Sequence, residues 1–340
     1  MYPVKRRMFL KSGLAASALG FPALGQVRGA NDRVQMALIG CGGRGTQVTS
    51  SLARRSDVEC SQVCDIHEER LVRIAEHMSE QQGGRKPLLA RRMEEVFANK
   101  DVDAVVVATP DHWHTPAAIL ACQAGKDVYV EKPFSHNIWE GRKLVEAARK
   151  YKRIVQVGTQ NRSAPYNLAA REYIRSGRLG DVRLVKVFNL KGGGPFHLGT
   201  SGSSPKGFSW KTWLGPAKAR PYHSRIFHAG WHYFWDYSGG DLADCGIHQL
   251  DLALMVMGDP AAPAAVSAQN SVSCAVPASG GRIQHRGDDA EVPDVEILQY
   301  DYPGFVMTFE HSHFAGGMSK INGSIRSSDK FPYWPQCATR

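Results

Sequence analysis

The 340-residue chain has no C-x-x-C pair, and its seven cysteines are an odd number. Together these exclude a zinc ribbon, a dithiol redox motif and a small disulfide framework. Cys41, Cys60, Cys64, Cys122, Cys245, Cys274 and Cys337 are scattered, and Cys41 and Cys122 fall in apparent core elements, where they read as packing residues. Past residue 30 no apolar run approaches the ~20 residues that a membrane span requires. The formal charge is +10, yet no arginine-rich or aromatic-interleaved block concentrates it. A dispersed excess of this kind reads as a solvated basic surface, so no nucleic-acid partner is expected. Hydrophobic residues make up 43% and charged residues 22%, an ordinary globular profile long enough for two domains.

Acidic residues are missing from the first 25 positions, which read "KRRMFLK" at 5–11 and then a diluted apolar stretch from Leu14 to Leu24. Arg6-Arg7-Met8-Phe9-Leu10-Lys11 resembles a twin-arginine export motif, and Ala23-Leu24-Gly25 offers small residues for cleavage. Residues 1–30 are therefore expected to be a signal peptide, with the twin-arginine machinery as a partner and a periplasmic or otherwise exported destination. That route carries folded proteins, which suits a chain with several unpaired cysteines and allows a cofactor to be loaded before export. No integral span is expected once the signal is removed.

Val34 to Ile39 is a short apolar strand, followed by Gly40-Cys41-Gly42-Gly43-Arg44-Gly45. This is G-x-G-x-x-G: the first glycine turns the chain, the second lets a pyrophosphate approach the backbone, and the third lets helix pack on strand. The following helix would point its N-terminal amides at the phosphates. A second strand, Val58 to Cys64, ends at Asp65, where a carboxylate would hold the adenosine ribose and repel a 2′-phosphate. The expected cofactor is NAD rather than NADP.

The alternation continues through "DAVVVA" (103–108), a helix over 115–125, "DVYVEKPF" (127–134), a helix over 136–150 and "RIVQVGTQ" (153–160). Strands alternating with helices indicate a doubly wound parallel sheet, with ligands beyond the carboxyl ends of its strands. Those ends place Thr109, Pro110, His112, His114, Glu131, Lys132 and Gln160 beside Gly40, Gly42, Gly43, Arg44 and Gly45 as candidate cofactor residues.

"ATPDHWH" (108–114), "AGKDVYVEKPFS" (124–135) and "GGDLADCGIHQLD" (239–251), taken with the glycine loop, resemble the glucose–fructose oxidoreductase, inositol dehydrogenase and rhizopine-catabolism family. The resemblance runs from about residue 33 onward. It implies an α/β protein: an N-terminal Rossmann domain, here 31–160, then an α/β domain with a large open mixed or antiparallel sheet, here 161–340. It further implies sugar or polyol substrates and a homo-oligomer joined through the sheet face. The chain stops at "SSDKFPYWPQCATR" without further strands, so the second domain is expected to be incomplete.

The candidate catalytic residues are Lys132, His248 and Asp244. Lys132 stands at a strand end, where the following proline fixes its backbone direction. It would donate to, or share a proton with, a substrate hydroxyl; read without the resemblance it is a surface lysine in a turn. Asp244 and His248 are four apart and would share one helix face. His248 would take a hydroxyl proton while Asp244 holds a neighbouring hydroxyl, with Asp251 a turn further on. The bland alternative makes Asp244 a helix N-terminal acid and His248 a packed core residue. Metal binding by this pair with His112 or His114 lacks any further ligand spacing, and no metal is expected.

The segment 191–237 is glycine-rich, then aromatic. Arg162, Arg225, Trp231, His232 and Tyr237 are candidate substrate residues, since sugars stack C–H faces on rings and hydrogen-bond to Arg and His. An aromatic loop sealing a subunit interface fits equally. Val182–Leu190, Val292–Tyr302 and Phe305–His311 alternate like strands of a second sheet.

Three functions remain open from sequence. The leading one is a carbohydrate-active enzyme that keeps its NAD and returns the hydride each turnover, by oxidation–elimination–reduction or by sugar–sugar exchange. The second is a sugar or polyol dehydrogenase with exchangeable NAD. The third is a catalytically silent carbohydrate-binding relative.

Overall fold

The computed structural model describes residues 33–190, 196–271, 276–277, 283–284 and 289–312. The expected signal peptide and residues 313–340 lie outside the described residues.

The first sheet is built from β1 (Val34–Ile39), β2 (Val58–Cys64), β3 (Leu88–Ala90), β4 (Ala104–Val107), β5 (Asp127–Val130) and β6 (Val155–Val157). Its strand order is β3-β2-β1-β4-β5-β6 and every pairing is parallel. The helices between are α1 (Gly43–Ala53), α2 (Glu68–Gln81), α3 (Met93–Ala98), α4 (Asp111–Gln123) and α5 (Ile138–Lys150). The period of two assigns side chains to opposite faces. Ala37, Ile39, Val105 and Val107 pack with Ala117, Ala121 and Leu144 of α4 and α5. Met36, Leu38 and Val106 pack on the other face with Val48, Leu71, Ile74 and Met78 of α1 and α2. Burial on both faces explains why β1 and β4 read as unbroken apolar runs.

Strand order reverses between β1 and β4, where the carboxyl ends diverge and a ligand crevice opens. The glycine loop leaves β1 there, and Thr109-Pro110 leaves β4.

One boundary departs from the sequence expectation. The helix expected over 115–125 begins at Asp111, with Pro110 at its N-cap. Pro116 lies inside it; at that position it removes one intrahelical bond and the turn before it still forms. His112 and His114 therefore lie in a helix rather than in a loop.

The second half begins with α6 (Pro165–Arg175) and β7 (Leu184–Leu190). An aromatic segment with two short helices follows, α7 (Trp210–Leu214) and α8 (Ser224–His228). A π-helical turn, Leu242–Gly246, runs directly into α9 (Ile247–Val256). Then come β8 (Ala265–Ser271), the short pair β9 (Val276–Pro277) and β10 (Ile283–Gln284), β11 (Val295–Tyr302) and β12 (Phe305–Ser312). The four-stranded sheet runs β7-β12-β11-β8, with β7 parallel to β12 and the other pairs antiparallel. It is the mixed sheet expected, with β7 and β11 starting a few residues inside the expected spans and β12 starting at Phe305 as expected. Its inner face, Val187, Leu298, Met307 and Phe309, packs on Ala253 of α9. Gly246 sits so close that a Cβ there would lie 2.7 Å from the Phe309 ring. The sheet thus seats the π-helical turn. Among the described residues no helix is long and apolar enough to cross a membrane.

Candidate active site

A cleft of about 1640 Å³ opens at the switch point, between the first sheet and the aromatic segment. Gly40, Gly42, Gly43, Arg44, Asp65, Thr109, Pro110, His114, Glu131, Lys132, Gln160, Arg225, Trp231, His232, Asp244 and His248 all line it, so most sequence candidates meet in one place.

The glycines divide their roles as their geometry dictates. Gly40 has φ +97°, and a Cβ there would meet the Ala108 carbonyl oxygen at 2.5 Å. A Cβ on Gly45 would lie 2.0 Å from the Gly40 oxygen, so this glycine serves helix–strand packing rather than the cleft. Gly42 is the N-cap of α1, and a Cβ there would meet no protein atom within 4 Å. That open space at a helix N-terminus fits a pyrophosphate. Asp65 accepts from the Cys41 amide at 2.7 Å and the His67 amide at 2.8 Å, which fixes its carboxylate beside the loop. Burial raises its pKa, and the two amides and Arg70 oppose that rise.

Arg44 ties the glycine loop to the other strand ends. Its Nε donates to Glu131 Oε1 at 2.8 Å and its Nη2 to Gln160 Oε1 at 3.2 Å. Glu131 is buried and also accepts from Tyr129 Oη at 3.1 Å. Gly158 is what admits this carboxylate, since a Cβ there would lie 2.8 Å from Glu131 Oε1.

Lys132 precedes a cis peptide bond to Pro133. Its ammonium donates to the Asp244 carbonyl oxygen at 2.8 Å and to Asp244 Oδ1. Asp244 belongs to the π-helical turn and His248 to α9, so the expected helix face is a junction of two helix types. His232 Nδ1 lies 3.9 Å from the other Asp244 oxygen, and its ring stacks on Trp231 with centroids 3.6 Å apart. His248 is buried, and burial, with the Lys132 charge adding to it, pushes its pKa down to about 4. Its imidazole is neutral at pH 7 and able to accept a proton. Among the described residues, His248 Nδ1, Thr109 Oγ1 and His114 Nε2, all on cleft-lining residues, are buried with no hydrogen-bond partner.

Four candidates are used differently from the expectation. His112 lies under the cleft, with its Nε2 donating to the Trp213 carbonyl at 3.0 Å and its amide to the Tyr237 carbonyl. His114 reaches the wall but donates Nδ1 to the Pro133 carbonyl at 2.7 Å, holding the Lys132–Pro133 turn. Burial pushes both histidines down to about 4, so both are neutral. Arg162 is absent from the lining and pairs with Asp251 at 2.8 Å and Asp259 at 2.7 Å, so Asp251 serves that ion pair rather than His248. Tyr237 is fully buried in the aromatic cluster with Trp213 and Phe234. Arg225 does line the cleft, but one guanidinium nitrogen donates to the His197 carbonyl.

Asp241, Asp244 and Cys245 bring possible metal-ligand atoms within 4.8 Å of one another. Lys132 already holds Asp244, His311 Nε2 stands 3.3 Å from Asp241, and the Cys245 sulfur is in a disulfide.

Sequence reasoning passed over Asp111. It lines the cleft, is 2% exposed, and accepts from Ser238 Oγ at 2.7 Å. Burial raises its pKa to about 8. Its place in "PDHWH" was visible, but its partner is 127 residues away.

The description "Oxidoreductase family, NAD-binding Rossmann fold" matches residues 34–159, and the same family's C-terminal α/β domain matches 193–289. The chain belongs to this oxidoreductase family. Among curated relatives, a "Glycosyl hydrolase family 109 protein" of Shewanella baltica (strain OS155) is 24% identical over 206 residues, 54% of this chain and 45% of the relative. An "Alpha-N-acetylgalactosaminidase" of Shewanella oneidensis is 23% identical over the same shares. The chain spans about half the length of the curated relatives it matches. Solved structures of the same fold include the WlbA dehydrogenase of Bordetella pertussis, solved with NADH and UDP-GlcNAcA. It aligns at TM-score 0.61 and 20% identity, over 83% of this chain and 73% of that one. GenD2 from gentamicin A biosynthesis, solved with NAD, aligns at TM-score 0.58 and 24% identity, over 84% and 68%. The glycine loop, Asp65 and the open space at Gly42 are the parts of this family's NAD-binding fold that the chain itself displays.

Proposed function

We propose that the chain is an NAD-dependent oxidoreductase acting on sugars or glycosides, with tightly held NAD and redox-neutral turnover. The observation that carries this is the meeting of Lys132, Asp244 and His248 in the cleft that the glycine loop opens. NAD held there would supply a hydride acceptor for a sugar carbon, able to give the hydride back. His248, neutral and buried, takes the proton of the hydroxyl on that carbon. Lys132 supplies a positive charge beside the oxygen as the carbonyl forms, and Asp244 holds that ammonium in place. Trp231, stacked on His232, offers the ring surface for a sugar face. Gly42, Arg44, Glu131 and Gln160 hold the dinucleotide side of the cleft.

Two redox-neutral routes follow from a ketone formed in this site. It acidifies the neighbouring C–H, so a glycosidic group can leave before water adds and the hydride returns. Otherwise a second sugar takes the hydride. The curated glycosidase relatives favour the first route, and the expected export favours both, since a compartment without free NAD offers no recycling. We propose that the leader sends the loaded protein through the twin-arginine machinery to the periplasm. We also propose a homo-oligomer joined through the outer face of the second sheet, where Leu184, Phe188, Leu190 and Ile297 are exposed.

The test is direct. Denature the purified mature protein and measure released NAD, then follow nicotinamide absorbance during incubation with glycosides, with and without added NAD. About one NAD per chain and turnover independent of added NAD support the reading. An empty protein whose rate rises with added NAD supports the exchangeable dehydrogenase instead.

A further inference from the structure

Beside Asp65, the cleft is bordered by contacts between the two halves of the chain. Phe227, on α8 of the second half, is 4% exposed and packs directly on the first half. Its ring stacks on His67, with centroids 5.4 Å apart and planes at 11°. The Arg70 guanidinium lies over the same ring, 4.3 Å from its centroid. His67 and Arg70 flank the start of α2, just beyond Asp65, and the His67 amide holds the Asp65 carboxylate. Asp65, Ile66, Arg70, Phe227 and His228 line one continuous stretch of the cleft. Ile66 packs against the aromatic cluster that contains Phe227, and Phe208 meets Phe227 edge-on at 4.7 Å.

We propose that Arg70 and Phe227 form the adenine subsite and latch the cofactor in across the two halves of the chain. A guanidinium stacked on one ring can take a purine on its other face, and desolvation strengthens that contact. The Asp65 carboxylate would hold the ribose while the Phe227–Arg70 stack covers the base. Release of the dinucleotide then requires the second half to lift off His67 and Arg70. This latch rests on the retained-NAD reading and supplies its physical cause: the base is covered by a well-packed cluster rather than left open at a sheet edge.

The test compares wild-type, Arg70→Gln and Phe227→Leu full-length proteins, the last keeping apolar volume without the stacking plane. NAD per chain after purification and the rate of NAD loss by dilution are measured, together with affinity for nicotinamide mononucleotide, which has no adenosine. The expected result is at least a 10-fold faster loss of NAD in both variants, with mononucleotide affinity unchanged. Equal weakening of both ligands would mark a general structural defect and overturn the latch, as would unchanged NAD loss. A wild-type protein that binds NAD no more slowly exchanging than Arg70→Gln also ends the latch, while hydride chemistry at Lys132 and His248 would stand. Absence of any NAD binding by wild type would remove both.

Discussion

The Lys132 ammonium donates at once to the main-chain and side-chain oxygens of Asp244, joining the end of β5 to the π-helical turn before α9. One pair thus aligns the two halves of the cleft and places a cation beside His248. Both side chains are largely buried, so the pair is held by the surrounding protein rather than by solvent-exposed attraction.

Replacing Lys132 with Ala is expected to lower kcat by about 100-fold or more, the usual scale for losing a positioned proton or charge partner. Asp244→Asn is expected to lower it less, since the main-chain oxygen still accepts from Lys132. Steady-state kinetics on an active glycoside, with NAD content measured in parallel, separate this from cofactor loss.

His248 sets an acid limb. Its pKa of about 4 leaves it neutral above that value, so kcat should fall as pH drops through about 4 and stay level toward neutrality on this account. In His248→Gln the remaining activity should lose that limb.

Asp111 affects stability with the opposite sign to an ordinary carboxylate. Its folded pKa, about 8, lies above the unfolded value of about 4, so the fold binds its proton more tightly than the unfolded chain does. Its contribution is complete below about pH 4 and is lost as pH rises toward about 8. The buried histidines at 112, 114 and 248, lowered to about 4, act in the reverse direction, losing stability as pH falls below about 6.5. Comparing Tm of wild type and Asp111→Asn from pH 5 to pH 8 isolates the carboxyl. The Tm difference, wild type minus variant, should shrink as pH rises from 5 to 8, because both proteins share the histidine contribution and only the wild type carries the carboxyl.

Gly45→Ala and Gly42→Ala separate folding from cofactor binding. A Cβ at 45 would strike the Gly40 oxygen at 2.0 Å, and overpacking of that kind costs about 1–3 kcal/mol or more. A Cβ at 42 meets no protein, and that residue's φ of −71° suits alanine. Gly42→Ala should keep Tm and weaken NAD binding at least 10-fold, as calorimetry would show.

Phe188→Asp on the outer face of the second sheet should shift the protein to monomers in light scattering, with Tm little changed. Phe188 is half exposed and contributes nothing to the inner face.

The local elements were legible because they depend on short-range chemistry. Apolar runs on β1 and β4 require burial on both faces, and Gly45 follows from the Gly40 oxygen five residues before it, while Gly40 answers to its positive φ and Gly42 leaves open space at the start of α1. Lys132, Asp244 and His248 were readable as candidates by motif, and the structure brings them to one cleft. Arg162 and Tyr237 were not separable from true cleft residues, because an arginine paired to Asp251 and a tyrosine sealed in an aromatic cluster have the same local sequence as exposed ones. Asp111 with Ser238 and Arg70 with Phe227 join residues more than 120 positions apart. Sequence alone therefore determined the Rossmann half, its glycine loop and the residue types able to move a proton. Only the tertiary structure decided which of them share the cleft, because side-chain partners across the two halves are set by packing, which has no period along the chain.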